Sequence, residues 1–293
     1  MSHTTSEGTP ELPATTHVGA VYLRVSRLEP AAEFYEQVLG LERLPSGEGG
    51  VLFGAGGRPL VGLLEAADAA PADRAPGLFH LAVLLPDRAH LGAFLQHSAN
   101  VRARLQGASD HGVSEAIYLA DPEGNGVEVY RDLPRSEWPM NDSGVEMITA
   151  PMDAQGVLDA GAGMTGQFRA PGDTIMGHVH LRVSDLRRSA QRYVDVVGLD
   201  LTQASYPGAL FTSAGGYHHH VGMNTWGTAG QPAKEEGSLG LAWFELVVPD
   251  DAARAALAER LEASSSVREC ESTAFSARVY YDEDGIGMAL AGA

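Results

Sequence analysis

"VYLRVSRLEPAAEFYEQVLGLERL" (21–44) and "VHLRVSDLRRSAQRYVDVVGLDLT" (179–202) are the same segment written twice. Aligned without a gap at an offset of 158, eleven of the twenty-four positions are identical. A repeat of this length sets the architecture, because each copy is one supersecondary unit that packs against others. Each copy opens on a short alternating apolar strand. A turn follows whose serine, Ser26 or Ser184, is placed to cap a helix. Phe34, Val38 and Leu41 recur at helical spacing, and a glycine, Gly40 or Gly198, ends the helix. Apolar strands complete each copy: "GVLFGA" and "RPLVGLLE" in the first, "GALFTSA" and "HHHVGMN" in the second. The unit reads βαβββ.

A second, weaker pair lies between and after these copies. "GLFHLAVLLPDRAHLGAFL" (77–95) matches "GLAWFELVVPDDAARAALA" (240–258) through its Gly-Leu start and its Pro-Asp strand end. "DPEGNGVEVY" (121–130) matches "DEDGIGMALA" (282–291). The chain therefore holds four units: A (about 17–66), B (77–132), C (175–226) and D (240–291). The expected division is a loose tail over 1–16, a first domain over 17–132, a linker over 133–174 and a second domain over 175–293. The linker is rich in Pro, Gly, Asp and Met, and "MDAQGVLDA" (152–160) within it reads as a short helix.

Bulk properties exclude several roles. A net charge of −18 argues against nucleic acid, which wants a basic footprint, and against an anionic membrane surface. No apolar run approaches the roughly 18–20 residues of a membrane span. "MSHTTSEGTPELPATT" lacks the basic start and apolar core of a signal peptide. Cys270 is the single cysteine, so neither an intrachain disulfide nor a thiolate zinc site can form, and a reducing, cytoplasmic setting is expected.

Four tandem βαβββ units resemble the vicinal oxygen chelate superfamily, which includes glyoxalase I, bleomycin-resistance proteins and type I extradiol dioxygenases. The resemblance covers nearly all of the chain after residue 16 and implies an α+β fold in which paired units form half-barrel cups. The segment "SDHGVSEAIYLADPEGNGVE" (109–128) is similar to the extradiol signature, supplying His111, Ile117, Tyr118, Asp121, Pro122, Gly124 and Glu128. Only Ser109 departs from it. With "GGYHHHVGMNTW" (215–226), the chain looks most like the bacterial catechol-2,3-dioxygenase group.

In that superfamily, metal ligands come from the first and last strands of the paired units. Unit B offers His80 and Glu128, and unit C offers His178. Unit A has Ala20 where C has His178, and unit D has Trp243 and Ala289 where B has His80 and Glu128. Alanine and tryptophan cannot ligate. Pairing units in chain order would split the three donors between two cups, whereas pairing B with C, and A with D, gathers them into one. The functional cup is therefore expected between the second and third units. Two histidines and one carboxylate suit non-haem Fe(II), with Mn(II) a fit for the same donors and zinc or nickel not separated by donor type alone.

The resemblance implies further roles. His219 in the run His218-His219-His220 takes the acid/base place, with His111 donating to a substrate oxygen and Tyr118 hydrogen-bonding a catechol oxygen. The run is placed on the last strand of unit C, where alternation puts His218 and His220 on the face opposite His219. His17 and His180 flank the ligand strands and are left unassigned. The implied reaction is extradiol ring cleavage of a catechol-like or hydroquinone-like aromatic diol by O₂. Two alternatives stand beside it: a glyoxalase-like isomerase using a fourth ligand from around His220, and a non-enzymatic binding protein of the bleomycin-resistance kind. The A/D cup is free to serve as a structural element or as an interface in a homo-oligomer.

Overall fold

The computed structural model describes residues 12–292 apart from 73, 142–143 and 272–273. Of the expected tail, residues 1–11 lie outside the described residues, while Leu12 and Thr16 are buried. The strands form two large sheets, and their order answers the pairing question. One sheet has eight strands, with the four strands of unit D (Gly240–Val247, Ser266–Glu271, Ser276–Tyr281, Gly287–Ala291) joined to those of unit A (His17–Val25, Glu42–Leu44, Gly50–Ala55, Arg58–Glu65). The other has nine. It joins unit B (Gly77–Leu84, Leu105–Asp110, Ser114–Ala120, Gly126–Asp132) to unit C (Ile175–Arg182, Asp200–Gln203, Ala209–Ser213, Val221–Asn224), with Ala150–Pro151 at one edge. B pairs with C and A with D, as the stripped ligand positions required.

Each junction is made by the first strands of the two units, which run antiparallel. Within every unit the first and last strands are parallel neighbours, which demands the intervening helix as a crossover. In units A and C the helices Leu28–Glu33 and Leu186–Ala190 widen into π turns over Phe34–Val38 and Gln191–Val197. Gly40 (φ +68°) and Gly198 (φ +95°) end them in the left-handed region. Within 133–174 a helix forms over Ala154–Gly161, where the sequence suggests one. Among the described residues, no helix is long and apolar enough to cross a membrane.

The serine-cap expectation is corrected. The helix of unit C is capped by Asp185, whose side chain accepts from the Arg187 and Arg188 N–H groups, and that of unit A has no side-chain cap. Both serines are drawn elsewhere. Ser26 Oγ donates to Glu123 Oε1 at 2.9 Å, and Ser184 Oγ donates to Asp284 Oδ1 at 2.6 Å. Glu123 and Asp284 occupy the same place in the matching turns "DPEGNG" and "DEDGIG". A charged acceptor is the stronger partner for a hydroxyl, and the backbone N–H groups of Ser26 and Ser184 add a second bond each. Turns thus tie A to B and C to D, while the sheets join B to C and A to D.

The A/D cup is filled. Ala20, Trp243 and Ala289, which replace the ligands, meet in one buried apolar cluster with Tyr22, Leu64, Ala242 and Val279. Tyr22 stacks on Trp243 with ring centroids 4.4 Å apart. Gly62 beside Tyr22 leaves room for this ring, since a Cβ there would lie 2.3 Å from it. Trp243 is 1% exposed, so Trp243→Ala is expected to lower the free energy of unfolding by about 3–5 kcal/mol, the range for deleting a buried large aromatic. Denaturant unfolding checks this, and metal uptake at the other cup should not change.

Candidate metal centre and cavity

Three adjacent strands of the B/C sheet carry the predicted donors: Gly126–Asp132, Gly77–Leu84 and Ile175–Arg182, in that spatial order. In register, Ala82 on the central strand stands between Glu128 on one side and His178 on the other. The small side chain leaves the space into which His80, two residues earlier on the same face, also points. His80 Nε2 lies 3.0 Å from Glu128 Oε2 and 3.3 Å from His178 Nε2, and His178 Nε2 lies 3.3 Å from Glu128 Oε2. Donors sharing one ion at about 2.1 Å stand about 3.0 Å apart in a cis-octahedral set and about 3.4 Å apart in a tetrahedral one. The spacing is that of donors aimed at a single ion.

All three side chains are buried, at 6%, 3% and 2% exposure for His80, Glu128 and His178. Burial pushes the Glu128 carboxyl up, but the charge and hydrogen bond of His178, with those of His80, outweigh it and hold it well below the usual range. Burial lowers the His178 imidazole to about 4 against the opposing pull of Glu128. An ionised carboxylate beside a neutral imidazole is the protonation state in which such groups bind a metal. An ion would also compensate the desolvated carboxylate. The donor set therefore fits a divalent metal.

Tyr118 sits opposite Glu128 in the next strand pair. Its hydroxyl is 2.6 Å from His111 Nε2, and His111 Nδ1 lies 2.7 Å from the Ile148 carbonyl. A carbonyl only accepts, so His111 carries its proton on Nδ1, and its Nε2 accepts from the Tyr118 hydroxyl. Burial first, then the nearby Glu128 charge, keeps that phenol well above its ordinary pKa and therefore protonated. The structure brings both signature residues to the metal cup.

The triple histidine departs from the strand expectation. The strand is Val221–Asn224, and His218, His219 and His220 precede it in a loop that leaves Gly215 and Gly216 at φ +61° and +66°. Side Cβ atoms are not tolerated at the first of these, where one would meet the Ala14 carbonyl at 2.2 Å. Off the strand, alternation no longer governs the three rings. His219 lines the metal cup, its ring 4.0 Å from that of His178. His220 faces a different cavity, with Nδ1 accepting from the Ala214 N–H at 3.1 Å. His218 turns towards His219 rather than away from it. Their Nδ1 atoms are 2.7 Å apart, and His218 Nε2 is 3.0 Å from Asp132 Oδ1. Tyr217 donates to both Asp132 oxygens, at 3.2 and 3.0 Å.

Asp132 escapes the motif search, though a signal exists: Glu128, Tyr130 and Asp132 alternate on one strand and so share a face. The same alternation from His178 leads to His180 and Arg182, and both line the cup. Met147, Ile148 and Thr149, between units B and C, close another wall, and no repeat marks them. Together these residues enclose a cavity of about 440 Å³ with Phe79, Tyr206, Phe211 and Trp226 as aromatic walls. That size and lining suit one small organic molecule.

Residues 15–129 and 175–290 both match the Glyoxalase/Bleomycin resistance protein/Dioxygenase superfamily. Catechol-2,3-dioxygenase from Bacillus subtilis (strain 168) is 39% identical over 265 residues, spanning 88% of this chain and 92% of that protein. The chain belongs to this superfamily. Among solved structures, a putative dioxygenase from Bacillus subtilis subsp. subtilis str. 168 superposes with a TM-score of 0.66 at 14% identity, over 94% of this chain and 84% of the other. Glyoxalase I from Zea mays superposes with a TM-score of 0.58, also at 14% identity, over 95% and 92%. These likenesses establish the superfamily fold. In this member of the superfamily, one cup is armed and open, and the other is plugged by Tyr22 and Trp243.

Proposed function

We propose that the protein is an extradiol dioxygenase that uses Fe(II), held by His80, Glu128 and His178, to open the ring of a catechol-like or hydroquinone-like aromatic diol with O₂. The observation that carries this reading is the convergence of three donors at the floor of a cavity sized for one aromatic molecule. Similarity to a protein named catechol-2,3-dioxygenase supports it. An iron held by these three donors would supply open positions for a diol and O₂, and Mn(II) fits the same donors.

The surrounding residues handle protons. Asp132 accepts from the His218 Nε2–H, so His218 presents Nδ1 as an acceptor to the Nδ1–H of His219. This leaves the Nε2 lone pair of His219 free for a proton from a diol hydroxyl. Burial, then the neighbouring His178 and His218, hold the His219 imidazole well below its ordinary pKa, hence neutral and able to accept. Tyr118 keeps its proton and gives it to His111 Nε2 in a hydrogen bond, so its oxygen lines the cup as an acceptor for a diol hydroxyl. Asp132 is a positioning residue here. Asp132→Asn is expected to lower kcat about 10- to 100-fold, the usual cost of losing an outer partner, with KM and bound iron little changed. Asp132→Glu should recover part of the loss. An unchanged kcat in Asp132→Asn would remove the relay from the mechanism.

A glyoxalase-like isomerase would want a fourth protein donor, and among the described residues three converge. His220, the candidate fourth, looks into another cavity. The deciding experiment loads purified protein with Fe(II) anaerobically, adds a panel of catechols and hydroquinones with oxygen, and follows O₂ uptake with the yellow ring-opened semialdehyde. Absence of both with every diol would sink the reading.

A further inference from the structure

One side chain in the cup has a charge and no counterpart. Arg182 lines the cavity, and it makes no hydrogen bond or ion pair among the described residues. Its Nε is buried. Every other arginine that approaches a buried carboxylate in this acidic chain is engaged: Arg88 and Arg131 on Glu115, and Arg188 on Asp284. Among the described residues, and apart from histidines, the only charged side chains lining the cavity are Glu128 and Arg182, and Glu128 is taken by His80 and His178. Arg182 is also held in place. Its guanidinium carbon lies 5.7 Å from the centre of the Phe79 ring, and Phe79 packs edge-on against Trp226 and His180.

His180 adds an independent observation. It is 5% exposed, lines the same cavity, and its buried Nε2 has no partner among the described residues. A buried polar nitrogen left unpaired is costly unless a ligand completes it. His178, His180 and Arg182 succeed one another at alternate positions of one strand. Four residues of strand separate the Cα atoms of His178 and Arg182 by about 13 Å. A single aromatic ring with a short acidic arm spans that distance between two side chains that both reach inward.

We propose that Arg182 and His180 form a carboxylate subsite, and that the substrate is an aromatic diol carrying an acidic side arm, its diol at the metal and its carboxylate at Arg182. A guanidinium is planar, permanently charged and matched to a carboxylate by two parallel hydrogen bonds. This inference rests on the dioxygenase reading only for where the diol sits.

Calorimetric titration under anaerobic conditions tests it with two probes, 3,4-dihydroxyphenylacetate and 4-methylcatechol, on metal-free and Fe(II)-loaded protein. The expected result is a preference of about 10- to 100-fold for the acidic probe, the worth of a charge-assisted pair. In Arg182→Met the ratio should fall to near one, and in Arg182→Lys it should lie between. A wild-type ratio near one overturns the subsite, and so does a ratio that survives in Arg182→Met. Because the readout is binding, failure of either diol to be cleaved would count against the dioxygenase reading and leave the subsite standing.

Discussion

His178→Ala, reconstituted anaerobically with Fe(II), should retain little bound iron and lose ring cleavage by at least about a thousandfold, well beyond the 10- to 100-fold cost of losing an outer partner. The geometry explains the size of the effect. His178 Nε2 is one of three donors 3.0–3.3 Å apart, and the two that remain come from neighbouring strands of a single unit. Without the contribution of unit C, His80 and Glu128 pair with each other and enclose no ion. Iron content measured on the purified variant, together with O₂ uptake, gives the answer. Full metal occupancy and turnover in His178→Ala would mean that the ion sits elsewhere. Trp243→Ala is the matched control, since it alters a ligand-equivalent position in the plugged cup.

His219→Gln should behave differently. Bound iron and diol affinity are expected to hold, while kcat drops about 10²- to 10⁴-fold, the range associated with a positioned acid/base. Glutamine keeps a polar group in the loop but cannot take a proton. The His219 ring packs against His178 and Phe211 and hydrogen-bonds through one nitrogen to His218, which leaves the other nitrogen for substrate. Steady-state kinetics on iron-matched samples separates the possibilities. A raised KM with kcat intact would make His219 a binding group, and the proton would then have to be taken by another residue.

The repeat at an offset of 158 made units A and C legible, the weaker matches made B and D legible, and the alanines and tryptophan at ligand positions made their pairing legible as well. That second inference worked because a metal site cannot be half built: donors that are useless apart must be brought together, and in the plugged cup their replacements do meet around Trp243. Local expectations fared less well where tertiary partners compete. Ser26 and Ser184 are well placed to cap helices, yet Glu123 and Asp284 from neighbouring units claim their hydroxyls. The triple histidine read as a strand, but its residues bridge a glycine turn, and so His218 faces His219 rather than the opposite side. Asp132 became meaningful only once sheet pairing set the end of unit B against the loop of unit C. Met147, Ile148 and Thr149 had no repeat to align with and no pattern of their own.

The sheet order also dictates a schedule. The chain's pairings are nested like brackets: B closes on C inside, and A closes on D outside. As the chain emerges from the ribosome, the inner sheet has all of its strands once Asn224 is out, so the metal cup can form while unit D is still being made. The strand His17–Val25 is among the first synthesised, yet its partner Gly240–Val247 is among the last. Through that interval unit A presents an open, apolar edge, the kind of surface that recruits strands from other chains. Contacts so distant in sequence also slow the final step of folding. Chains truncated before residue 240 should therefore aggregate through unit A even when the inner cup is complete.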